Sequence, residues 1–144
     1  MPNIHLLKLD FKDNDFLIIR NIRKNVFTDE LGISKSELFD EYDETCDHFI
    51  LFDGKNIVGG IRFVPVQNNI KLERMAILPK FRTKKYGKNT ILQLMEYYRN
   101  RGYSKIVLDS IYNVRQFYQK CGFLEEGKIF QRVGIDHVRM SLSL

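Results

Sequence analysis

The segment Lys71–Lys88, with the sequence KLERMAILPKFRTKKYGK, constrains the fold more than any other part of this chain. An apolar, strand-like run from Leu72 to Leu78 ends at Pro79. A basic loop follows, and Gly87 then opens an amphipathic helix. This arrangement favours an anion site, because the first amides of a helix have no intrahelical acceptor and the helix dipole attracts negative charge. The alternative interpretation is that the basic loop is only a solvent-exposed connection between the strand and the helix. The basic residues around the predicted site are Arg82, Lys84, Lys85 and Lys88.

Two families of phosphate-binding loop do not fit this segment. It lacks the G-x-x-x-x-G-K-[ST] pattern of a P-loop and the G-x-G-x-x-G pattern of a dinucleotide-binding turn. The sequence therefore indicates an anion site of another kind.

Hydrophobic periodicity and turn residues predict an α/β fold. Asp53-Gly54 predicts a hairpin, Gly59-Gly60 a bulge or a close backbone approach, and Ser34 with Glu37 a capping box. We expect a central mixed, mostly antiparallel sheet with helices on both faces. Strands are predicted at Asn3–Asp10, His48–Phe52, Asn56–Val64, Ile70–Ile77, Lys105–Asp109, Phe123–Phe130 and His137–Leu142, and helices at Asp13–Phe27, Ser34–Phe39, Gly87–Asn100 and Tyr112–Lys120.

Length and composition predict one domain over residues 1–144 in a cytoplasmic protein. Two distant cysteines, Cys46 and Cys121, cannot form a disulfide scaffold and show no metal-binding spacing, so we expect reduced thiols and no metal. No signal peptide or membrane span is recognisable, which predicts no membrane partner. The net charge of +5 is uneven, and the compact positive run suits a phosphorylated small molecule; no nucleic-acid partner is expected.

Residues 82–87 and 113–123 resemble motifs of the GNAT acetyltransferase superfamily, and further segments resemble its ElaA-like group. Residues 82–87 resemble its [RQ]-x-x-G-x-[GA] motif, with Lys85 in place of the first glycine, so a positive φ is not expected there. Residues 113–123, NVRQFYQKCGF, resemble the motif that ends F-Y-x-x-x-G-F, although Ile111 stands where an Asn is common. The ElaA-like features are R-x-x-R-x-x-V-F-x-x-E-L-G-I from Arg20, D-E-Y-D at residues 40–43, and G-I-D-H-V-R-M at residues 134–140.

The resemblance implies an acetyl-CoA-dependent N-acetyltransferase that moves the acetyl group directly to an amine in a ternary complex. Tyr118 matches the residue that returns a proton to the departing thiolate, and Phe117 beside it is expected in the core. Glu73, His137 and His48 are candidates for the base, each with a structural role as the alternative. The residues expected to bind coenzyme A are Met75, Ala76, Ile77, Arg82, Thr83, Lys84, Lys85, Tyr86, Gly87, Lys88, Phe117 and Tyr118.

The sequence does not identify the acceptor, and it allows two other functions. The acceptor is expected to be a primary amine of a small molecule or peptide, and the acidic stretch Asp40–Asp47 either attracts that amine or is a solvated loop. The alternatives to catalysis of this kind are a module that binds acetyl-CoA without catalysis and an acyl-homoserine lactone synthase. The chain is expected to be a monomer or a homodimer.

Overall fold

The computed structural model describes residues 3–144, so the first two residues of the predicted domain lie outside it. Seven strands and three α-helices form in this part of the chain. The strands are β1 (Ile4–Leu9), β2 (Asp47–Asp53), β3 (Asn56–Val66), β4 (Asn69–Ile77), β5 (Lys105–Ile111), β6 (Leu124–Arg132) and β7 (Ile135–Ser143). The helices are α1 (Phe16–Arg23), α2 (Tyr86–Asn100) and α3 (Arg115–Lys120).

The strands form one mixed sheet in the order β1-β2-β3-β4-β5-β7-β6. The pairs β1–β2, β2–β3, β5–β7 and β6–β7 are antiparallel, whereas β4 and β5 pair in parallel over Asn69–Lys71. The predicted α/β class and mostly antiparallel sheet are confirmed.

The chain divides into two compact units, of which the first comprises the described residues up to Val64 together with Arg74–Thr90. Its core includes Phe16 and Ile19 on α1, which pack with Ile50 of β2. These apolar residues follow helical spacing on α1, so one face of the helix is buried. Gly54, at φ +59, lies in the predicted hairpin between β2 and β3.

The second unit comprises Pro65–Glu73 and Ile91–Leu144. Ile106 and Leu108 of β5 are fully buried, as are Val138 and Met140 of β7, so alternate residues of this antiparallel pair form the core. Gly134, at φ +75, turns β6 into β7 as predicted.

Two predictions about the segment between α1 and β2 were wrong. The expected helix at Ser34–Phe39 is a single 3-10 turn, Lys35–Glu37, because the Ser34 hydroxyl contacts Ser36 rather than capping a backbone amide. The capping box predicted at Ser34 and Glu37 does not form, and a capping box lies instead at the 3-10 turn Glu41–Glu44, within the acidic stretch Asp40–Asp47. There Asp40 accepts from the Tyr42 amide at 3.0 Å, and Asp43 accepts from the Asp40 amide at 3.0 Å.

The helix predicted to end at Phe27 continues further and changes its geometry. After Arg23 the backbone forms a π-helical segment, Lys24–Glu30, which ends before Gly32 at φ +74. Segments of this kind are rare and occur frequently at functional sites.

Within residues 3–144, the search for a helix both long and apolar enough to cross a membrane found none.

Candidate functional site

The loop between β4 and α2 holds an unusual backbone conformation. Thr83 and Lys85 adopt φ angles of +67° and +64°, with Lys84 between them outside the positive region. The expectation that Lys85 would avoid a positive φ was wrong. Alternation of right- and left-handed residues turns successive backbone N–H groups toward one side, which forms an anion-binding concavity. The loop therefore shows alternating signs of φ over Thr83–Lys85, the pattern found in such concavities, without glycine at either left-handed position.

The start of α2 follows this loop directly and has free backbone amides of its own. The Asn89 amide donates to Lys85 O at 3.1 Å, so helix geometry leaves the amides of Tyr86, Gly87 and Lys88 without an intrahelical acceptor. The helix begins at Tyr86, one residue before the predicted start. The Tyr86 hydroxyl donates to Asp53, which fixes this end of the helix to the β2–β3 hairpin. The side chains of Lys84, Lys85 and Lys88 are exposed around it.

The Arg82 side chain is held by contacts within the protein. Its guanidinium contacts both carboxylate oxygens of Glu30, one of them at 2.8 Å, and its Nε donates to Ile77 O at 2.9 Å. Hydrogen bonding between the two side chains lowers the pKa of Glu30 and raises that of Arg82. The positive charge of Arg82 is thus largely neutralised, and the free charge of the loop comes from its lysines.

The end of β4 is held against β3 at very short range. A Cβ atom on Gly59 would lie 2.1 Å from Ala76 O, so only glycine fits there. The Leu78 amide donates to Val58 O at 2.8 Å. The predicted close approach at Gly59 is confirmed, and it fixes the backbone of Met75–Ile77, the strand residues expected to contact coenzyme A.

The carboxylates of the acidic stretch are mostly neutralised within the protein. Asp40 accepts two hydrogen bonds from Arg62, at 2.6 and 2.8 Å, and also lies 3.4 Å from Arg74. Asp47 pairs with Lys8 at 3.3 Å. Arg74 has a left-handed φ of +55°, and its side chain also reaches the carbonyl oxygens of residues 37 and 38. This stretch therefore acts mainly as a set of internal ion-pair partners.

His48 and Asp43 lie at the centre of this network and are fully buried. The Asp43 carboxylate contacts Arg23 at 3.0 Å and Arg62 at 2.9 Å, while His48 Nε2 donates to Asp43 O at 2.7 Å. Burial lowers the pKa of His48, so the neutral imidazole is favoured. This setting supports a structural role for His48 rather than the predicted catalytic one.

Cys46 joins Asp43 and His48 in a cluster of three potential metal ligands within 4.8 Å of one another. Burial raises the pKa of the Cys46 thiol to about 12, which disfavours the thiolate that a metal requires. The guanidinium groups of Arg23 and Arg62 already occupy the acidic side of the cluster. Its chemistry therefore fits a buried polar network better than a metal centre.

In the second unit, Glu73 belongs to a charged group on the sheet. Lys71 lies 3.9 Å from Glu73 and 3.2 Å from Asp109, whose side chain is only 2% exposed. Asp109 also pairs with Arg139 of β7, opposite it in register, and with Arg132 at 3.1 Å. Burial alone would raise the pKa of Asp109, but the hydrogen bond from Arg139 and the charge of Lys71 lower it. Glu73 thus stands beside a fixed cation and is itself partly buried.

Tyr118 lies on α3 in an aromatic cluster. Its ring packs edge-on against Phe117 at 5.0 Å and Phe123 at 5.7 Å between centroids. Tyr118 is buried and Phe117 only partly so, the reverse of the expectation that Phe117 would be the core residue. Burial, together with nearby Cys121, raises the pKa of the Tyr118 phenol, so the hydroxyl keeps its proton at neutral pH. A protonated phenol is the form that a general acid requires.

His137, the remaining candidate, lies on β7 and is 7% exposed. Its Nδ1 donates to Ile135 O at 2.7 Å, and its ring stacks on Phe130 at 5.8 Å. This leaves Nε2 as the acceptor nitrogen of the neutral imidazole.

Sequence reasoning missed Glu30, Arg62 and Asp109 as partners of the candidate residues. Glu30 and Arg82 are 52 positions apart, and Asp109 and Arg139 are 30 apart, so no local pattern could pair them. One sequence feature could have drawn attention to Glu30: it is the last residue of the R-x-x-V-F-x-x-E segment that resembles the ElaA-like group.

Comparison with known proteins gives consistent matches. A family model described as an acetyltransferase (GNAT) domain matches residues 25–144. The uncharacterized N-acetyltransferase YjcF of Bacillus subtilis (strain 168) is 30% identical over 121 residues, covering 83% of this chain and 86% of YjcF. Escherichia coli ElaA matches with a TM-score of 0.82 and 18% identity over 96% of this chain and 99% of its own. A Bacillus subtilis acetyltransferase in complex with CoA matches with a TM-score of 0.73 and 18% identity over 99% of both chains.

Proposed function

Since the chain belongs to the acetyltransferase (GNAT) family, we propose that it is an ElaA-like member that transfers an acetyl group from acetyl-CoA to a primary amine of a small molecule or peptide. The observation that carries this proposal is the loop at residues 83–85, whose alternating φ signs and exposed lysines suit a pyrophosphate. One similar structure was determined in complex with CoA, which supports the choice of donor. The proposed enzyme consists of a single domain over residues 1–144.

The loop and the end of β4 have separate tasks in this proposal. Amides of Thr83–Lys88 bind the pyrophosphate, and Lys84, Lys85 and Lys88 add positive charge. Backbone groups of Met75, Ala76 and Ile77 hydrogen-bond the pantetheine arm. An amide of Ala76 or Ile77 polarises the thioester carbonyl, as an oxyanion donor does in other acyl transfers.

Two proton transfers accompany the reaction. The attacking amine must be neutral, and Glu73 is our first candidate to accept its proton because it lies on β4, the strand expected to bind coenzyme A, beside Lys71. His137 is the second candidate, through Nε2, while the burial of His48 puts it last. As the C–N bond forms and the C–S bond breaks, Tyr118 donates its phenolic proton to the thiolate of coenzyme A, and the proton that the nitrogen loses on becoming an amide restores the phenol.

Acceptor recognition by the acidic stretch is less favoured than the sequence suggested. Asp40, Asp43 and Asp47 already pair with protein cations, which leaves the exposed Glu41 and Glu44 as its available charges. Both cysteines are free thiols, which fits the cytoplasmic location that we include in the proposal.

Thiol release from acetyl-CoA, measured across a panel of primary amines, tests the proposed activity. Amine-dependent release is the expected result. Calorimetry should show that acetyl-CoA binds and that binding weakens as salt increases, because several charges contact the ligand. Gly87→Val should weaken binding by obstructing the phosphates. Binding without release on any amine would favour a non-catalytic acetyl-CoA-binding module, and wild-type affinity in Gly87→Val would place the phosphates elsewhere.

A further inference from the structure

Glu30 contacts the loop that precedes α2 through its carboxylate. It ends the π-helical segment Lys24–Glu30, and its two oxygens face the two terminal nitrogens of Arg82. A planar guanidinium bound at both nitrogens is held in direction as well as position. Glu30 thereby restrains a residue 52 positions away in the sequence.

Arg82 passes this restraint to the backbone of the loop. Its Nε donates to the carbonyl of Ile77, the last residue of β4, so its side chain is fixed at both the strand and the helical segment. Its own backbone is extended, with φ −71° and ψ 160°, and the left-handed Thr83 comes next. A non-glycine residue in that region is strained and persists only where its surroundings impose it. The fixed Arg82 is one such constraint.

We propose that Glu30 is a positioning residue of the phosphate cradle, acting through Arg82 to hold Thr83 and Lys85 in their left-handed conformations. This inference rests on the proposed function in taking the cradle's ligand to be coenzyme A. It assigns Arg82 to the support of the loop, and the charge that meets the phosphates to the neighbouring lysines.

A purely electrostatic role and a positioning role predict opposite changes in coenzyme A affinity when the Glu30 carboxylate is removed. A carboxylate near a polyanionic ligand repels it, so its removal by charge alone would strengthen binding. Its removal would also free Arg82 to bind phosphate directly. If Glu30 instead keeps the cradle in shape, its removal weakens binding.

The test measures the Kd of coenzyme A by calorimetry for Glu30→Ala, Glu30→Gln, Arg82→Ala and the double variant Glu30→Ala/Arg82→Ala. Asp29→Ala is the matched control, because it removes the adjacent carboxylate, which pairs with Lys24 rather than with the loop. We expect the Kd to rise roughly 3- to 10-fold in Glu30→Ala. Glu30→Ala should add nothing on the Arg82→Ala background, and Asp29→Ala should keep the wild-type Kd or lower it. Unchanged or tighter binding in both Glu30 variants would overturn the proposal.

Hydrogen exchange of the Thr83, Lys84 and Lys85 amides in the free protein gives a readout that needs no ligand. Exchange should be faster in Glu30→Ala and Glu30→Gln than in the wild type and unchanged in Asp29→Ala. Equal exchange in all of these proteins would overturn the positioning role. A wild-type protein that bound no coenzyme A would instead refute the proposed function, while the exchange data would still decide what Glu30 does.

Discussion

Gly59 and Ala76 approach so closely that a Cβ atom on Gly59 would lie 2.1 Å from the carbonyl oxygen of Ala76. No side-chain movement can relieve this contact, because the obstructing atom belongs to the backbone. The position of the strand end that we expect to bind the pantetheine arm therefore depends on a glycine in the neighbouring strand.

Gly59→Ala should lower the free energy of unfolding by about 2–3 kcal/mol or more and weaken acetyl-CoA binding, since β3 and the end of β4 must separate. Gly60→Ala is the matched control, because its Cβ would lie 3.5 Å from an Ile22 side-chain atom, an ordinary contact. Urea denaturation and calorimetry measure the two effects. Equal stability of the two variants would contradict this account of the close approach.

Lys85→Gly should raise the free energy of unfolding by up to about 1 kcal/mol and retain coenzyme A binding, because glycine adopts the φ of +64° without strain. Lys84→Gly, at a position outside the positive-φ region, should instead be neutral or destabilising through the entropy of the unfolded chain. Thermal and chemical denaturation compare the two. A Lys85→Gly protein less stable than Lys84→Gly would show that the left-handed conformation carries no strain.

Protein stability should fall as the pH drops below 6.5, in part because of His48. Burial lowers the pKa of His48 from its ordinary 6.5, so the unfolded chain binds a proton that the folded protein resists. His48→Gln keeps an N–H donor for the Asp43 carbonyl and removes the titration. Between about pH 6.5 and 5, its stability should depend less on pH than that of the wild type. His5→Gln, at an exposed position, is the control, and equal slopes in wild type and His48→Gln would contradict the prediction.

Glu73→Gln should lower kcat on strongly basic amines by about 10²-fold or more, since such amines must lose a proton before attack. The pH–rate profiles of Glu73→Gln, His137→Ala and His48→Ala identify the residue responsible. Glu96→Gln, an exposed carboxylate paired with Arg99, controls for the loss of charge alone. Wild-type profiles in all three test variants would assign the proton to water or to the substrate.

Tyr118→Phe should lower turnover by about 10²–10⁴-fold while leaving acetyl-CoA affinity nearly unchanged, because it removes the hydroxyl and keeps the ring between Phe117 and Phe123. The assay needs a substrate for which chemistry is rate-limiting. Tyr98→Phe, at another buried tyrosine, shows what the loss of a buried hydroxyl does to stability alone. Unaltered turnover in Tyr118→Phe would reduce Tyr118 to a packing role.

Local signals in the sequence were sufficient for the order of the seven strands and of α1, α2 and α3. Alternating and helical periodicities, the Asp53-Gly54 hairpin and the Gly134 turn each depend on residues a few positions apart, and the structure has these features where they were predicted. The close approach at Gly59 was also readable, because glycine inside a strand often marks a bulge or a place where another backbone comes near.

Only the tertiary structure decided how the charges and the loop backbone are used. Arg82 with Glu30, and Arg62 with Asp40, pair across 52 and 22 residues, distances over which sequence spacing carries no geometric information. Because Arg23 and Arg62 pair with Asp43 and Asp40, an acidic stretch that looked available for substrate is mostly neutralised. The left-handed conformations of Thr83 and Lys85 oppose local preference, and no sequence pattern indicated them. The sequence thus determined where a phosphate site could form, and the tertiary contacts determined the conformation in which it is held.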